Sequence, residues 1–118
     1  MDDAVHHGLL RVTSRLAGTT ATVEVSGEID QVTVTELDAY LRRVTGTRSV
    51  LTVVVDLEDV GYLGSAGLSL LQLHHHRCLA DGIEFVVVAS NRSVLRPLEV
   101  AALDRLLTIR QGAPHTWS

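Results

Sequence analysis

The amino-acid sequence predicts an α/β fold with a mixed, mostly parallel five-stranded sheet and three or four helices. Segments with the composition of strands alternate along the chain with segments of helical periodicity. The first two strand segments are joined by a connection too short for a helix, so they are expected to form an antiparallel hairpin. Helical segments separate the later strands, and this order favours parallel pairing with right-handed crossovers.

The opening hairpin is predicted from two stretches in which apolar and polar residues alternate, residues 9–12 and residues 20–26. Alternation with a period of two is typical of a strand that buries one face. The connection between the two strands is expected at Ala17, Gly18 and Thr19, because glycine is common in tight turns.

The first helix is predicted where the period of the apolar residues lengthens from two to about 3.6. Thr33 and Glu36 match the T-x-x-E capping box that is typical of a helix start. Gly46 is expected to end the helix. Its buried face is expected to consist of four apolar residues: Val34, Leu37, Leu41 and Val44.

A central strand and a second helix follow. The nearly continuous β-branched run at residues 50–55 is typical of a strand that is covered on both faces. Residues 59–65 are predicted to form a loop that leads into a leucine-rich helix at residues 66–80. Asp81 and Gly82 are expected to end that helix.

The last part of the chain adds one more unit of the same kind. Residues 83–89 repeat the composition of a buried strand, and a third helix is expected at residues 94–102. Pro97 is expected to shorten or kink that helix. Residues 106–109 are predicted to form the final edge strand.

Composition and charge exclude several classes of function. The 118 residues are about one domain, expected at residues 8–112 between a flexible lead (1–7) and a tail (113–118). The net charge of −4 would repel a nucleic-acid backbone. No apolar run reaches the roughly 18 residues that a membrane span needs. A single cysteine, Cys78, and no leader segment predict a cytoplasmic protein without a disulfide.

The candidate site lies where two parallel strands end. Ligands and partners of open α/β sheets meet the carboxyl ends of the strands, so residues 27–30 and 61–67 are expected to form it. Ser65 stands near the start of the second helix, where free backbone amides favour a side-chain oxygen or an anion. It is interpreted either as an ordinary N-cap serine or as a residue that accepts a phosphate group.

The sequence does not predict an enzyme or a cofactor. Ser65 lacks the G-x-S-x-G pattern of a hydrolase nucleophile because Leu63 stands at the first glycine position. No Gly-Lys-Ser or Gly-Lys-Thr follows the glycines, so a nucleotide-binding P-loop is not predicted. Glu28 and Asp30 suit metal binding or acid–base chemistry as a pair, although carboxylates at such positions are more often solvated or cap the next helix.

Three consecutive histidines look at first like a metal-binding cluster. His74, His75 and His76 fall within a predicted helix, where neighbouring side chains point about 100° apart and do not converge on one ion. They are therefore predicted to form a partly exposed helix face. Cys78 is predicted to pack among leucines, and no metal site is predicted.

Two segments resemble the STAS domain of bacterial anti-sigma factor antagonists: VSGEID at residues 25–30 and VDLEDVGYLGSAGL at residues 55–68. The resemblance spans nearly the whole chain and implies the STAS fold. It implies that the unphosphorylated protein binds an anti-sigma factor, itself a serine kinase with a histidine-kinase-like ATPase fold, and so frees a sigma factor for transcription in a stress response. Phosphorylation at the position of Ser65 would end this binding, and the acidic turn of the family falls on Glu28 and Asp30.

The partner-binding surface is expected at the two strand ends. One residue departs from the family's pattern, because members commonly carry Asp immediately before the phosphorylated serine and this chain has Gly64. The alternatives are therefore an antagonist that is not phosphorylated, or a STAS subunit of a transport or stress-signalling scaffold complex. The residues expected to bind the partner are Gly27, Glu28, Asp30, Tyr62, Gly64, Ser65, Ala66 and Gly67.

Overall fold

Strands and helices alternate along the chain in the predicted order. The structure, a computed structural model, describes residues 4–7 and 9–112, and six strands of these residues form one sheet. The strands are β1 (Ala4–His7), β2 (Leu10–Ala17), β3 (Thr20–Ile29), β4 (Thr52–Leu63), β5 (Glu84–Val88) and β6 (Thr108–Arg110). The helices are α1 (Val34–Thr45), α2 (Ser65–Ala80) and α3 (Arg92–Val100).

The sheet is mixed, and its spatial order equals its sequence order. β1, β2 and β3 pair antiparallel, whereas β3, β4, β5 and β6 pair parallel. Each parallel crossover contains one helix, as the alternating pattern predicts. The predicted α/β class is thus confirmed, including the antiparallel hairpin, whose turn places Gly18 at φ +62.

The core lies on one face of the sheet. Along β3, Val23 and Val25 are buried, whereas the intervening Glu24 is exposed. The buried face meets the helices through aliphatic side chains such as Leu41 of α1 and Leu71 of α2, which are fully buried. Cys78 also packs in this core, as predicted, and burial raises the pKa of its thiol. No helix within residues 9–112 is long and apolar enough to cross a membrane.

The first strand corrects one prediction. Residues 1–7 are predicted to be a lead outside the fold, but Ala4–His7 forms β1 and pairs antiparallel with β2. The pairing engages backbone groups of β2 that an edge strand would leave unpaired. The sheet therefore has a sixth strand. The predicted tail at 113–118 lies outside the described residues.

The largest difference concerns β4, which is twelve residues long. The predicted loop at residues 59–65 is wrong, because the strand continues to Leu63 and only Gly64 separates it from α2. Acidic residues and a glycine in this stretch resemble a loop, but Val60 and Leu63 remain buried and anchor it as a strand. The pairing with β3 continues through two register shifts, which are typical of bulges.

The hydrogen bonds at the start of α1 also differ from the prediction. Thr33 precedes the helix as expected, but its side chain makes no capping hydrogen bond to the helix. Its buried hydroxyl instead donates to the carbonyl oxygen of Glu28 at 2.8 Å and accepts from the amide of Asp30 at 3.0 Å. The capping-box role predicted for the threonine is therefore wrong, since its hydroxyl holds the turn between β3 and α1. Gly46 ends the helix, as predicted.

Candidate functional site

The carboxyl ends of β3 and β4 lie side by side, as the sequence predicts for the two segments. Glu28 lies opposite Tyr62 in the parallel pairing, and Ile29 lies opposite Leu63. The amide of Gly64 then donates to the carbonyl oxygen of Ile29 at 2.9 Å. This bond continues the contact beyond the strands, so the starts of α1 and α2 emerge from the same edge of the sheet.

A groove of about 330 Å³ opens at this edge. The lining residues are Asp30, Gln31, Val32, Tyr62, Gly64, Ser65 and Ala66. Five of them are among the predicted partner-binding residues, whereas Gln31 and Val32 are not predicted. Val32 is 69% exposed and Tyr62 is 52% exposed, so the groove presents apolar surface to solvent. This part of the groove could have been predicted from Val32, because it is an apolar residue in the turn between a strand end and a helix start.

Asp30 organises the turn that forms one wall of the groove. Its Oδ1 accepts hydrogen bonds from the amides of Thr33 at 3.0 Å and Val32 at 2.9 Å. These bonds stabilise the carboxylate and hold the pKa of Asp30 below its ordinary value. The alternative that this carboxylate caps the next helix is not confirmed, because both amides precede α1 and no side-chain hydrogen bond caps the helix. Within the described residues, no three His, Cys, Asp or Glu side chains cluster as a metal site.

Ser65 is the first residue of α2, and its side chain is exposed. The N-cap position belongs to Gly64, and no side-chain hydrogen bond caps the helix, so the N-cap interpretation of Ser65 is wrong. The first turn of this 16-residue helix contains no acidic residue. No acidic side chain of that turn therefore compensates the free amides and the positive end of the helix dipole. Both would stabilise negative charge on Ser65.

Two predicted site residues position the groove without lining it. Gly27 has φ +101, and a Cβ atom there would overlap the carbonyl oxygen of Leu9. Gly67, in the first turn of α2, is buried; a Cβ atom would lie 2.5 Å from Leu63 Cδ1 and 2.7 Å from Ile29 Cγ2. The absence of a side chain at Gly67 therefore lets α2 approach the ends of β3 and β4.

His74 is buried, unlike its two neighbours on the helix face that is predicted to be partly exposed. Its side chain is 1% exposed, and its Nε2 lies 2.7 Å from Oδ1 of Asp38 in α1. Burial lowers the pKa of His74, and the hydrogen bond to Asp38 opposes that shift. The imidazole is therefore neutral at neutral pH, and its N–H donates to the carboxylate. The pair connects α1 to α2. His75 is half-buried and His76 is exposed, as predicted for a partly exposed helix face.

The buried histidine makes stability depend on pH. We expect the free energy of unfolding to fall from about pH 7 to about pH 5, because the unfolded chain binds a proton at His74 that the folded protein resists. His74→Gln removes this contribution and flattens the profile. Urea unfolding followed by circular dichroism at both pH values measures it. His76→Gln, a matched change at an exposed position of the same helix, keeps the wild-type slope; an unchanged slope in His74→Gln would contradict the expectation.

Known proteins resemble the chain over most of its length. The STAS domain matches residues 11–113. Osmosensory protein A of Mycobacterium tuberculosis is 32% identical over 88 residues, which are 74% of this chain and 54% of that protein. Anti-sigma-F factor antagonist RsfB of the same species is 31% identical over 85 residues, 72% of this chain and 68% of that protein. The crystal structure of an anti-sigma factor antagonist from Mycobacterium paratuberculosis superposes with a TM-score of 0.77 at 30% identity, covering 85% of this chain and 84% of that one.

Proposed function

Because the chain belongs to the STAS domain family, we propose that it is an anti-sigma factor antagonist that works in the cytoplasm. It binds an anti-sigma factor that is a serine kinase and so releases a sigma factor for transcription. Phosphorylation of Ser65 ends the binding. Relatives named as anti-sigma factor antagonists support the proposal.

The proposed phosphorylation switch rests on one observation. Ser65 is exposed at the beginning of α2 and lines the groove beside the exposed side chains of Val32 and Tyr62. A phosphate at this position adds about −1.5 to −2 charges and three acceptor oxygens. The start of the helix stabilises that charge within the protein. A partner that packs closely against Val32 and Tyr62 would instead have to desolvate the phosphate, and the complex would dissociate.

The experiment compares capture of partners by wild-type chain and by Ser65→Asp, each immobilised and exposed to the cytoplasm of the source cells. We expect wild type to retain a kinase-like anti-sigma factor and Ser65→Asp to bind it at least about tenfold more weakly, because the new carboxylate is charged and hydrated. Mass spectrometry identifies the proteins, and titration calorimetry with the purified partner gives the affinities. Incubation of wild type with that partner and ATP is expected to add one phosphate, at Ser65.

The control is Ser49→Asp, which adds the same charge at an exposed residue before β4, at the opposite end of the parallel strands. It is expected to bind as wild type does. Ser65→Asp is also expected to be about 0.3–1 kcal/mol more stable than wild type, because a carboxylate enters an uncompensated first turn. A loss of binding with retained stability therefore assigns the effect to the interface.

Two other outcomes of the capture experiment would support the alternative functions. Equal binding by wild type and Ser65→Asp identifies an antagonist without the switch, which Gly64 favours because no carboxylate precedes Ser65. Capture of transport or scaffold components instead of an anti-sigma factor identifies a STAS subunit of such a complex. The relative named Osmosensory protein A favours a stress-signalling role of this kind.

A further inference from the structure

The hydroxyl of Tyr62 lies beside the beginning of α2. A Cβ atom on Gly64 would lie 3.0 Å from Oη of Tyr62. Gly64 is the N-cap residue, the position from which a side chain reaches the free amides of the first turn in many helices. The hydroxyl of Tyr62 therefore borders the space of a capping side chain, at the residue that directly precedes Ser65.

This hydroxyl has no partner in the described part of the chain. Residues 4–7 and 9–112 form no hydrogen bond with Oη of Tyr62, whose side chain is 52% exposed. Tyr40 differs, because its hydroxyl donates to Oγ of Ser14 at 2.7 Å. A phenol hydroxyl is both a donor and an acceptor, so Tyr62 offers a free donor to a group in the groove.

A phosphate on Ser65 would need donors of this kind. No lysine or arginine is among the residues that line the groove, so no cationic side chain of the lining would pair with the phosphate. The neutral side-chain donors of the lining, apart from Ser65 itself, are Gln31 and Tyr62. Tyr62 is the one whose donor oxygen lies against the residue before Ser65.

Two carboxylates make such a donor more important. Asp30 lines the same groove, and the amides that bind its Oδ1 keep its pKa low, so it is ionised at neutral pH. Glu28 lies opposite Tyr62 in the strand pairing. Both negative charges oppose a phosphate dianion on Ser65, and a hydrogen bond from Tyr62 would compensate part of that repulsion.

We propose that Tyr62 is a positioning residue of the phosphorylation switch: its hydroxyl donates a hydrogen bond to a phosphate on Ser65 and holds that phosphate against the start of α2. Hydrogen bonds to charged oxygens are shorter and stronger than those between neutral groups. The bond keeps the phosphate in the groove, where a partner would have to displace it. The inference rests on the proposed function, from which it takes the phosphate on Ser65, and adds the side chain that holds it.

Titration of the phosphate in the free chain tests the hydrogen bond. Phosphoserine is incorporated at position 65 during translation, so that no kinase is needed, and phosphorus NMR follows its protonation around its ordinary second pKa of about 6. Tyr62→Phe keeps the ring and removes the hydroxyl. We expect this change to raise the midpoint by about half a pH unit, because a hydrogen bond to the dianion lowers its pKa. The charges of Asp30 and Glu28 are present in both chains and do not produce this difference.

Two controls isolate the contact. Gln31→Ala removes the other neutral side-chain donor of the lining, and its midpoint is expected to equal that of wild type. Phosphoserine at position 49, an exposed residue at the opposite end of the parallel strands, is expected to titrate identically with and without Tyr62→Phe.

The outcomes separate this inference from the proposed function. An equal or lower midpoint in Tyr62→Phe overturns the role of Tyr62, and so does a rise that occurs in Gln31→Ala instead. A shift of the same size at position 49 also overturns it, since the substitution would then act without contact. No partner takes part in the titration, so each of these results leaves the capture experiment to decide the proposed function. A failed capture with the expected midpoints would reject the proposed function and retain the hydrogen bond.

Discussion

Gly27→Ala is expected to destabilise the fold by roughly 2–4 kcal/mol, the combined cost of a strained backbone and a steric overlap. The residue has φ +101, a conformation that alanine adopts only with strain. Its new Cβ atom would also overlap the carbonyl oxygen of Leu9. That oxygen accepts a hydrogen bond from the amide of Glu28 at 3.0 Å, so it does not move without breaking a contact of the site.

Relaxation around Gly27 is limited because the residue lies between two paired strands. It faces Leu10 of β2 on one side and Val60 of β4 on the other. Both neighbours are buried, and a shift of either one opens the core. We therefore expect that the folded protein cannot relax enough to reduce the destabilisation caused by Gly27→Ala.

Urea unfolding of wild type, Gly27→Ala and Gly18→Ala measures this effect. Gly18→Ala is the matched control, because Gly18 also has a positive φ, +62, but a Cβ atom there meets nothing within 4 Å. It is expected to cost about 1 kcal/mol, from backbone strain alone. Equal losses in the two variants would show that the contact with Leu9 contributes nothing.

Much of the fold could be predicted because its apolar residues keep a regular period. The hairpin and α1 follow from that period and from the turn residues around it. The same rule would have found His74: the buried residues Gly67, Leu70, Leu71 and Cys78 share one face of α2 with it. The predicted, partly exposed helix face therefore fits His75 and His76, whereas His74 belongs to the buried face of the helix.

The candidate site was harder to predict because its geometry depends on long-range contacts. The second half of β4 carries acidic residues that are typical of a loop, but pairing with β3 and the burial of Val60 and Leu63 make it a strand. Thr33 matches a local capping pattern, yet its hydroxyl forms hydrogen bonds with the backbone of Glu28 and Asp30.

Gly67→Val is expected to destabilise the fold by about 3 kcal/mol, the effect of inserting extra atoms into a closely packed site. Its Cβ atom alone would approach Leu63 Cδ1 to 2.5 Å and Ile29 Cγ2 to 2.7 Å. Both neighbours are buried at the ends of β4 and β3, so α2 itself must move away. Since Ser65 and Ala66 belong to the same turn, that movement would widen the groove and weaken partner binding as well.

The matched control for Gly67→Val is Ser69→Val, which places the same β-branched side chain at an exposed position two residues along α2. It is expected to cost only a few tenths of a kcal/mol, roughly the difference in helix propensity. Urea unfolding compares the two variants. A similar small loss in both would mean that α2 does not depend on its close approach to the strands. A large loss confined to Gly67→Val would show that this approach stabilises the helix start that presents Ser65.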